Sequence, residues 1–452
     1  MRWAACRPAA RVGCARWCAS EPGPHALIVT SKGKELERSA NVVIGANYGD
    51  EGKGLMTDYH AAPAGQNAIV VRFNGGAQAG HTVTTPRGLR HVFSHFGSGT
   101  LAGAATFLSR HFVCHPLLFL KEADVLAATV AAAGVALAPV FVDERALVST
   151  LYDILVNQIV ERHRGAGRHG SCGMGFGETI ERQLDPEFAL SVADLDQGAG
   201  YLLRRLAAIR DGYVPQRLAA LGIHALGAQD AEWLASDTAL QRYVHAAMQF
   251  RRATQCAWPE VLRERAQIVF EGAQGLLLDQ ERGAFPYVTR SHTGVRNALD
   301  VATEAGIETL AITYATRAYL TRHGAGPLPG ELPGKPYAGI EDRTNVPNEF
   351  QGTLRFAHLD LDWLERTIRT DFADALACPG MRASLNLAVT CLDQVGTAVK
   401  FIENGKLTTT APGVLAERLA QRLGAQTVYT AWGPTRGSIE TVHAGRTVSI
   451  SG

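Results

Sequence analysis

The sequence predicts an α/β protein, a single large domain around a mostly parallel central sheet. Short apolar runs rich in β-branched residues alternate with longer helical stretches from residue 41 onward. These runs are apolar throughout, as is typical of strands that are buried on both faces of a parallel sheet. Hydrophobic residues make up 46% of the 452-residue chain and charged residues 19%, which suits a large core and excludes a disordered chain.

Six segments are predicted as strands of this sheet, because each is a short apolar run with turn or polar residues beside it. They are residues 42–44, 69–71, 268–270, 309–313, 385–390 and 427–429. A P-loop-like phosphate-binding loop is predicted directly after the first strand. Ligands of such sheets bind beyond the carboxyl ends of the strands, so we expect the functional site in the loops that follow these segments.

The charge-free run 125–142 requires a decision about membranes. It is about 18 residues long, near the lower limit for a spanning helix, but it is rich in Ala and contains Gly134 and Pro139. We therefore predict a helix that begins near Leu117, a turn at Gly134 and a short buried strand at 140–142, with no membrane as partner.

The N-terminal 40 residues are predicted to be an extension, disordered or targeting, ahead of a domain that spans 41–452. Four arginines precede the first acidic residue, Glu21, which is typical of an organellar transit peptide; an unstructured start is the alternative. The eight scattered cysteines lack a CxxC pair and indicate a reducing, cytoplasmic location, with organellar targeting left open. The net charge of +1 argues against nucleic acid as a partner.

The turn after the first strand has the chemistry of a phosphate cradle. Residues 45–54 read GANYGDEGKG, so backbone N–H groups point inward and Lys53 adds a positive charge. It is not a Walker A loop, because Gly54 stands where Ser or Thr would bind Mg²⁺. A carboxylate repels phosphate, so Asp50 makes sense as a Mg²⁺ ligand or as a base. A tight turn with surface charges is the alternative.

The later motifs add an acid and groups suited to a nucleotide. Residues 72–82 read RFNGGAQAGHT, and His81 on this glycine-rich loop can act as a general acid near neutral pH. Gln274 in FEGAQG offers a donor and an acceptor, and Thr289 in PYVT offers a hydroxyl. Asp393, at a strand end, can accept two N–H groups of guanine and select GTP over ATP.

These motifs together resemble the adenylosuccinate synthetase family over roughly residues 41–440. The motifs GDEGKG, AGHT, FEGAQG with a following LLD, PYVT, TRxGAGP and GPxR occur in family order. The resemblance implies a homodimeric α/β ligase of AMP biosynthesis in the cytoplasm, dependent on GTP and Mg²⁺. It would phosphorylate the 6-oxygen of IMP and then displace that phosphate with the amino group of aspartate.

The resemblance also implies roles for individual residues. Asp50 would take the N1 proton of the purine, His81 would donate to the transferring phosphoryl group, and Lys53 would hold the phosphates. Mg²⁺ would bind Asp50 and the Gly80 carbonyl. GTP would contact Gly49, Glu51, Gly52, Gly54, Thr82, Asp393, Ala431 and Gly433. IMP and the amino acid would contact Gln78, Cys172, Gln274, Thr289, Thr353 and Arg355.

The chain departs from the family pattern at several of these positions. Cys391 stands where the guanine motif has a Lys, Cys172 where a Thr would contact the IMP phosphate, and Gln78 where an Asn is usual. No residue clearly matches the Arg that a neighbouring subunit lends to IMP, and Arg182 is the nearest candidate.

The amino-acid loop departs most. Residues 352–357 read GTLRFA, so Arg355 can match the first Arg of a Thr-Gly-Arg-x-Arg pattern while the second falls on Ala357. A guanidinium lost near a dicarboxylate costs about 1.5–3 kcal/mol per charged hydrogen bond. Besides the IMP–aspartate reaction, the sequence therefore leaves open a diverged ligase with another amine or purine, and a nucleotide-binding protein without catalysis. Retention of both Asp50 and His81 weighs against the last.

Overall fold

The computed structural model of the protein describes residues 38–132, 135–342 and 352–443. The predicted extension, residues 1–40, lies almost entirely outside the described residues, and the predicted turn at Gly134 also lies outside them. From residue 38 onward the described residues belong to one compact unit, whose first strand begins at Ser39.

Strands and helices are mixed along this unit, with a run of seven α-helices between β8 and β9. The strands are β1 (Ser39–Gly45), β2 (Ala68–Arg72), β3 (His81–Thr84), β4 (Arg90–Phe93), β5 (Ala105–Leu108), β6 (Val113–Cys114), β7 (Val140–Val142), β8 (Leu147–Val148), β9 (Gln255–Cys256), β10 (Gln267–Glu271), β11 (Thr309–Arg317), β12 (Leu320–Arg322), β13 (Glu331–Leu332), β14 (Arg355–Ala357), β15 (Leu359–Asp360), β16 (Arg382–Thr390), β17 (Val399–Glu403), β18 (Lys406–Thr410), β19 (Thr427–Ala431) and β20 (Ile439–His443). The α-helices are α1 (Lys53–Ala61), α2 (Pro116–Ala132), α3 (Leu151–Arg164), α4 (Phe176–Arg182), α5 (Val192–Leu195), α6 (Ala199–Ala208), α7 (Val214–Ala220), α8 (Ala228–Ala235), α9 (Asp237–Ala253), α10 (Arg296–Ala305), α11 (Leu361–Ala377) and α12 (Pro412–Leu423).

The central sheet confirms the predicted fold class. Within the described residues it has ten strands in the order β20-β19-β16-β11-β1-β10-β2-β5-β7-β9. Neighbouring strands pair in parallel, as in β1 with β10 and β11, and the edge pair β19–β20 is antiparallel. All six predicted strands are confirmed and belong to this sheet.

The predictions for the charge-free run are also confirmed where the chain is described. Helix α2 begins at Pro116, one residue before the predicted start, and β7 occupies 140–142. Like every other helix among the described residues, α2 falls short of the length and apolar character needed to cross a bilayer.

Helices cover both faces of the sheet because its strands are apolar on both faces. Val42 and Ile44 of β1 point into a core shared with α10, α11 and α12. Val43 points to the opposite face, where it packs with Met56 of α1. A second core lies among α2, α3, α6, α7 and α9 beside the β5–β7 edge. With both faces covered, the carboxyl ends of the parallel strands are the part of the sheet left for ligands.

The start of α2 depends on a buried neutral histidine. His115 immediately precedes the helix, and its Nδ1 accepts a hydrogen bond from Leu118 N at 3.3 Å. Its own backbone N–H donates to His95 Nε2 at 3.0 Å. Burial, together with the charge of His95, lowers the pKa of His115 to about 4. The imidazole is therefore neutral near pH 7, as an acceptor at a helix start must be.

This depressed pKa makes the stability of the fold sensitive to acid. The unfolded chain binds the proton with a pKa near 6.5 and the folded chain with a pKa of about 4, so protonation favours unfolding. We expect the free energy of unfolding to fall by up to about 3 kcal/mol from this site as the pH drops from 6.5 to 4. Asn at position 115 keeps an acceptor but cannot be protonated, so His115→Asn should flatten this slope in urea titrations across pH. The exposed His224 provides the control, His224→Asn, and equal slopes in all three proteins would contradict the assignment.

Candidate active site

A cavity of about 590 Å³ lies at the edge of the sheet where the loops after β1, β2 and β10 meet. The predicted site residues that line it are Gly49, Asp50, Lys53, Gln78, Gly80, His81, Cys172, Gln274 and Thr289. The predicted residues outside its lining are Glu51, Gly52, Gly54, Thr82, Thr353, Arg355, Asp393, Ala431 and Gly433. The structure thus brings most of the predicted acid–base and purine-contacting residues into one cavity.

The loop between β1 and α1 is built around a buried carboxylate. Glu51 Oε1 accepts hydrogen bonds from Asn47 N at 3.0 Å and from Gly49 N at 2.7 Å. Its Oε2 accepts one from Lys53 Nζ at 2.9 Å, and the Glu51 and Lys53 side chains are only 2% and 3% exposed. The loop amides and the lysine therefore form a cradle in which the Glu51 carboxylate binds, and phosphate binding there stays a prediction.

Two glycines give this loop the room that it needs. A Cβ on Gly45 would lie 2.4 Å from Glu51 Oε2, and a Cβ on Gly275 would lie 2.3 Å from Asn47 O. The second contact places the FEGAQG segment after β10 directly against the phosphate loop, backbone to backbone. A side chain at either position would displace the loop.

Asp50 is held as a carboxylate at the mouth of the loop. His323 Nε2 lies 3.2 Å from its Oδ2, and Arg317 Nε donates to its backbone carbonyl. Burial alone would raise the pKa of Asp50, but the hydrogen bond from His323 and the charges of Arg317 and Lys53 lower it to about 2. Asp50 is therefore ionised near neutral pH, where it can accept a hydrogen bond or bind a cation.

The backbone is strained at three of the site residues. Asp50, Gln274 and Cys391 have φ angles of 62°, 65° and 59°, in the left-handed region that residues with a side chain seldom adopt. Such conformations cost energy and cluster at functional sites, where the surrounding structure enforces them. All three residues lie in loops that follow strands of the central sheet.

His81 is oriented by a carboxylate that the sequence analysis did not assign a role. Its Nδ1 lies 2.7 Å from Glu271 Oε1, and Glu271 also accepts from Ser98 N at 3.0 Å. Burial would raise the pKa of Glu271, but the charges of His81 and Arg72 and the hydrogen bonds of His81 and Ser98 lower it to about 2. Burial lowers the pKa of His81, and the attraction of Glu271 opposes that shift. The ring is thus fixed through Nδ1, which leaves Nε2 for a ligand.

The donor set near Asp50 fits Mg²⁺ only with help from a substrate. Asp50 offers a carboxylate and Gly80 a carbonyl on the same cavity, and both are oxygen ligands as Mg²⁺ requires. The described residues contain no group of three or more His, Cys, Asp or Glu side chains that could hold a metal by themselves. Mg²⁺ is commonly held by one or two carboxylates together with water and substrate phosphates.

The residues predicted to bind guanine lie next to the phosphate loop. Thr390, the last residue of β16, donates from Oγ1 to Glu51 O at 3.1 Å. Asp393 follows three residues later and is exposed, so it lies within about 11 Å of Thr390 by chain reach. The turn at Leu392–Gln394 packs near β19, which ends at Ala431 and is followed by Gly433. The phosphate loop and the predicted guanine site therefore form a continuous edge.

The amino-acid loop is described only from residue 352 onward, where Thr353 is exposed. Arg355 pairs with Glu331 at 2.8 Å and donates to Gly324 O at 3.0 Å and Gly326 O at 2.9 Å. Ala357 is fully buried in β14, so a guanidinium would not fit there. The structure leaves Arg355 already engaged by protein acceptors.

Arg182, the candidate for an arginine lent to a neighbouring subunit, cannot have that role. Its side chain is fully buried and donates to both oxygens of Asp153 at 2.9 and 3.0 Å. It also donates to Phe188 O at 2.6 Å and to Val148 O at 2.9 Å. These bonds fix the start of α3 to the end of α4, because Asp153 also accepts from the backbone N–H of Thr150, the N-cap residue of α3. Arg182 is a structural residue.

The match to known proteins covers nearly the whole described chain. Residues 42–441 match the adenylosuccinate synthetase family. The chain is similar to the adenylosuccinate synthetase of Clostridium beijerinckii, with 31% identity over 351 residues, 75% of this chain and 77% of that one. It is 30% identical to that of Clostridium perfringens over 407 residues, 87% and 88% of the two chains.

Two solved structures share the fold at 16% identity. Fully ligated adenylosuccinate synthetase from Plasmodium falciparum has a TM-score of 0.68, over 88% of this chain and 99% of that one. Succinoaminodeoxyadenylate synthetase from cyanophage S-2L, bound to dGMP and dATP, has a TM-score of 0.54, over 89% and 95%. At this identity both similarities concern the fold alone.

The contact at Gly275 predicts a strong effect of one methyl group. In Gly275→Ala the new Cβ would lie 2.3 Å from Asn47 O and 2.6 Å from Gly49 N, so the two loops must separate. We expect the free energy of unfolding to fall by about 1–3 kcal/mol, the usual cost of overpacking. Gly413→Ala is the matched control, because no atom lies within 4 Å of a Cβ there. Urea denaturation measures both, and similar midpoints for the two variants would contradict the close approach.

Proposed function

Because the chain belongs to the adenylosuccinate synthetase family, ligases that form a C–N bond, we propose that it joins IMP and L-aspartate with GTP as co-substrate. The observation that carries this proposal is the pairing, in one cavity, of the ionised Asp50 with His81 held by Glu271. A base and an acid beside an anion cradle are what transfer of a phosphoryl group to a purine oxygen requires.

In the first step Asp50 accepts the N1 proton of IMP, which places negative charge on the 6-oxygen. This oxygen attacks the γ-phosphorus of GTP, the bond to the bridging oxygen breaks, and GDP leaves. His81, fixed through Nδ1 by Glu271, directs Nε2 at the transferring group. The charge of a phosphoryl group there favours the imidazolium form, which can donate a hydrogen bond to it.

In the second step the amino nitrogen of aspartate attacks C6 of 6-phosphoryl-IMP. The C6–O bond breaks and inorganic phosphate leaves, taking up the proton that the amine gives up, so the new C–N bond replaces the activated oxygen. Gln274, held in a left-handed conformation on the cavity wall, provides a donor and an acceptor for the purine edge. Thr289 and Cys172 line the same cavity and would face the nucleotide's phosphate.

The phosphates of GTP would take the position that Glu51 holds in the cradle. The amides of Asn47 and Gly49 and the ammonium of Lys53 all bond to Glu51, so the carboxylate must release donors as phosphate enters. Mg²⁺ held by Asp50, the Gly80 carbonyl and phosphate oxygens would offset charge on the transferred group. Asp393, Ala431 and Gly433 would contact the guanine.

The proposal predicts that the Asp50 carboxylate is needed for turnover and not for folding. Asp50→Asn should lower kcat at least about 100-fold, the contribution expected of a general base. Phosphate release from GTP in the presence of IMP, aspartate and Mg²⁺ measures the rate, and calorimetry measures IMP binding. Asp237→Asn, at a side chain that is 78% exposed, should behave as wild type. Undiminished turnover in Asp50→Asn would contradict the role of Asp50 as the base. If the wild-type protein binds nucleotides but shows no turnover, it is a nucleotide-binding protein without catalysis.

A second candidate function is the same chemistry with an amino acid that carries fewer carboxylates than aspartate. The hydrogen bonds that Arg355 already makes favour it. Its guanidinium is bonded to Glu331 and to two carbonyls, and Ala357 is buried. Among residues 352–357 a dicarboxylic amino acid would therefore find one cation, already paired, where the family pattern has two. The cyanophage neighbour is bound to dGMP, so the purine deserves the same test as the amine.

Release of Arg355 tests which amine the site accepts. If aspartate is the substrate, Glu331→Gln should lower the KM for aspartate about 2–5-fold, because an exposed ion pair is worth at most about 1 kcal/mol. Glu308→Gln removes another exposed Glu–Arg pair, at the opposite edge of the sheet, and should change nothing. The assay compares aspartate, asparagine and alanine, each with IMP and with dGMP. Turnover with a neutral amino acid alone, unchanged by Glu331→Gln, would replace aspartate by that amine.

A further inference from the structure

The cavity wall formed by α3, α4, α7 and residues 286–290, which begin with PYVT, is rich in guanidinium groups. Arg164, Arg217 and Arg290 all line it. Three carboxylates, Glu161, Glu178 and Glu181, pair with them. This wall carries Cys172 and Thr289, so under the proposed function it is where the 5′-phosphate of the nucleotide would lie.

The three arginines differ in how firmly the protein holds them. Arg217 is 20% exposed and donates to both oxygens of Glu178 at 2.8 and 3.2 Å, and to Glu181 at 3.3 Å. Arg164 donates to Glu161 at 2.9 Å, whose other oxygen accepts from Gly170 N. Arg290 is 44% exposed, and its Nη1 lies 2.5 Å from Glu181 Oε2. Among these pairs, that of Arg290 is the most open to solvent.

Arg290 is also placed between the two segments that would meet the phosphate. It directly follows Thr289 in the chain, and its stem packs over the start of α4, where a Cβ on Gly177 would lie 3.6 Å from Arg290 Cγ. Gly177 lines the same cavity and lies five residues after Cys172. The guanidinium is therefore attached to one segment and lies against the other.

We infer that Arg290 binds the 5′-phosphate of the purine nucleotide, and that its contact with Glu181 breaks when the phosphate binds. This inference rests on the proposed function and deepens it, because it identifies a charged binding residue on the same chain. A guanidinium can hold a phosphate through two parallel hydrogen bonds, which a single contact to a carboxylate does not match. Glu181 is not left alone by the exchange, because Arg217 already lies 3.3 Å from its Oε1.

The exchange predicts opposite effects of two neutralising substitutions. Arg290→Gln should raise the KM for IMP about 10-fold or more, since a charged hydrogen bond is lost, with a smaller effect on kcat. Glu181→Gln should lower the KM for IMP about 2–5-fold, because it removes the competing carboxylate. Arg290→Lys should restore part of the affinity. None of these three variants should change the binding of inosine, which lacks the phosphate.

The control and the alternative outcomes are built into the same measurements. Arg162→Gln is the control, because Arg162 is an exposed arginine on α3 that pairs with Asp230 and does not line the cavity. It should leave the KM for IMP and kcat unchanged. A purely structural Glu181–Arg290 pair would make the two neutralising variants change KM in the same direction, or change inosine binding too, and either result overturns the inference.

Binding separates this inference from the proposed function. Calorimetry with IMP, dGMP and inosine reports the phosphate contact whether or not turnover occurs. If IMP binds without turnover, the proposed function fails, and Arg290→Gln still decides the phosphate contact. If no purine monophosphate binds more tightly than inosine, the inference fails. Thermal unfolding of Arg290→Gln guards against misfolding, since weaker IMP binding would count only with an unchanged Tm.

Discussion

The buried carboxylate of Glu51 is the interaction on which the phosphate loop depends. It collects two backbone amides and the Lys53 ammonium at a place where both side chains are almost fully buried. A buried lysine without a partner would be costly, so this carboxylate allows a cation to be stored at the start of α1. The backbone carbonyl of the same residue accepts from Thr390, which fixes the loop to β16. One residue thus connects the cradle, the helix and the neighbouring strand, and Gly45 and Gly275 leave room for the arrangement.

The parallel sheet explains why residues far apart in sequence act together. β1, β10, β2, β11, β16 and β19 run in the same direction, so the loops that follow them emerge at one edge. His81 therefore meets Glu271 across 190 positions of sequence. Because helices cover both faces, the polar groups of the site have only this edge, where strained residues such as Asp50 and Gln274 are held by contacts from several loops.

A common electrostatic design runs through the site. Lys53, Arg355 and Arg290 are the three cations that the proposals place against anionic parts of the substrates, and each is paired with a carboxylate of the protein, Glu51, Glu331 or Glu181. The pairs differ in burial, from a fully enclosed one at Glu51 to exposed ones at Glu331 and Glu181. Under the proposed function an incoming anion would exchange with a carboxylate, which fits a protein whose net charge is only +1, and the most buried pair should exchange at the highest cost.

The amino-acid sequence alone predicts the six central strands and the glycine-rich loops after β1, β2 and β10. Continuous apolar runs mark strands buried on both faces, and glycine clusters mark close backbone approach. It also singled out Asp50, His81, Gln274 and Thr289, which the fold brings into one cavity. Four features depend on packing and do not follow from the sequence: His323 holds Asp50, Glu271 holds His81, Arg182 is buried, and Arg290 lines the cavity. The residue type of an arginine or a histidine does not indicate whether packing will bury its side chain or leave it exposed. Its partner is set by distances between loops that only the assembled sheet defines.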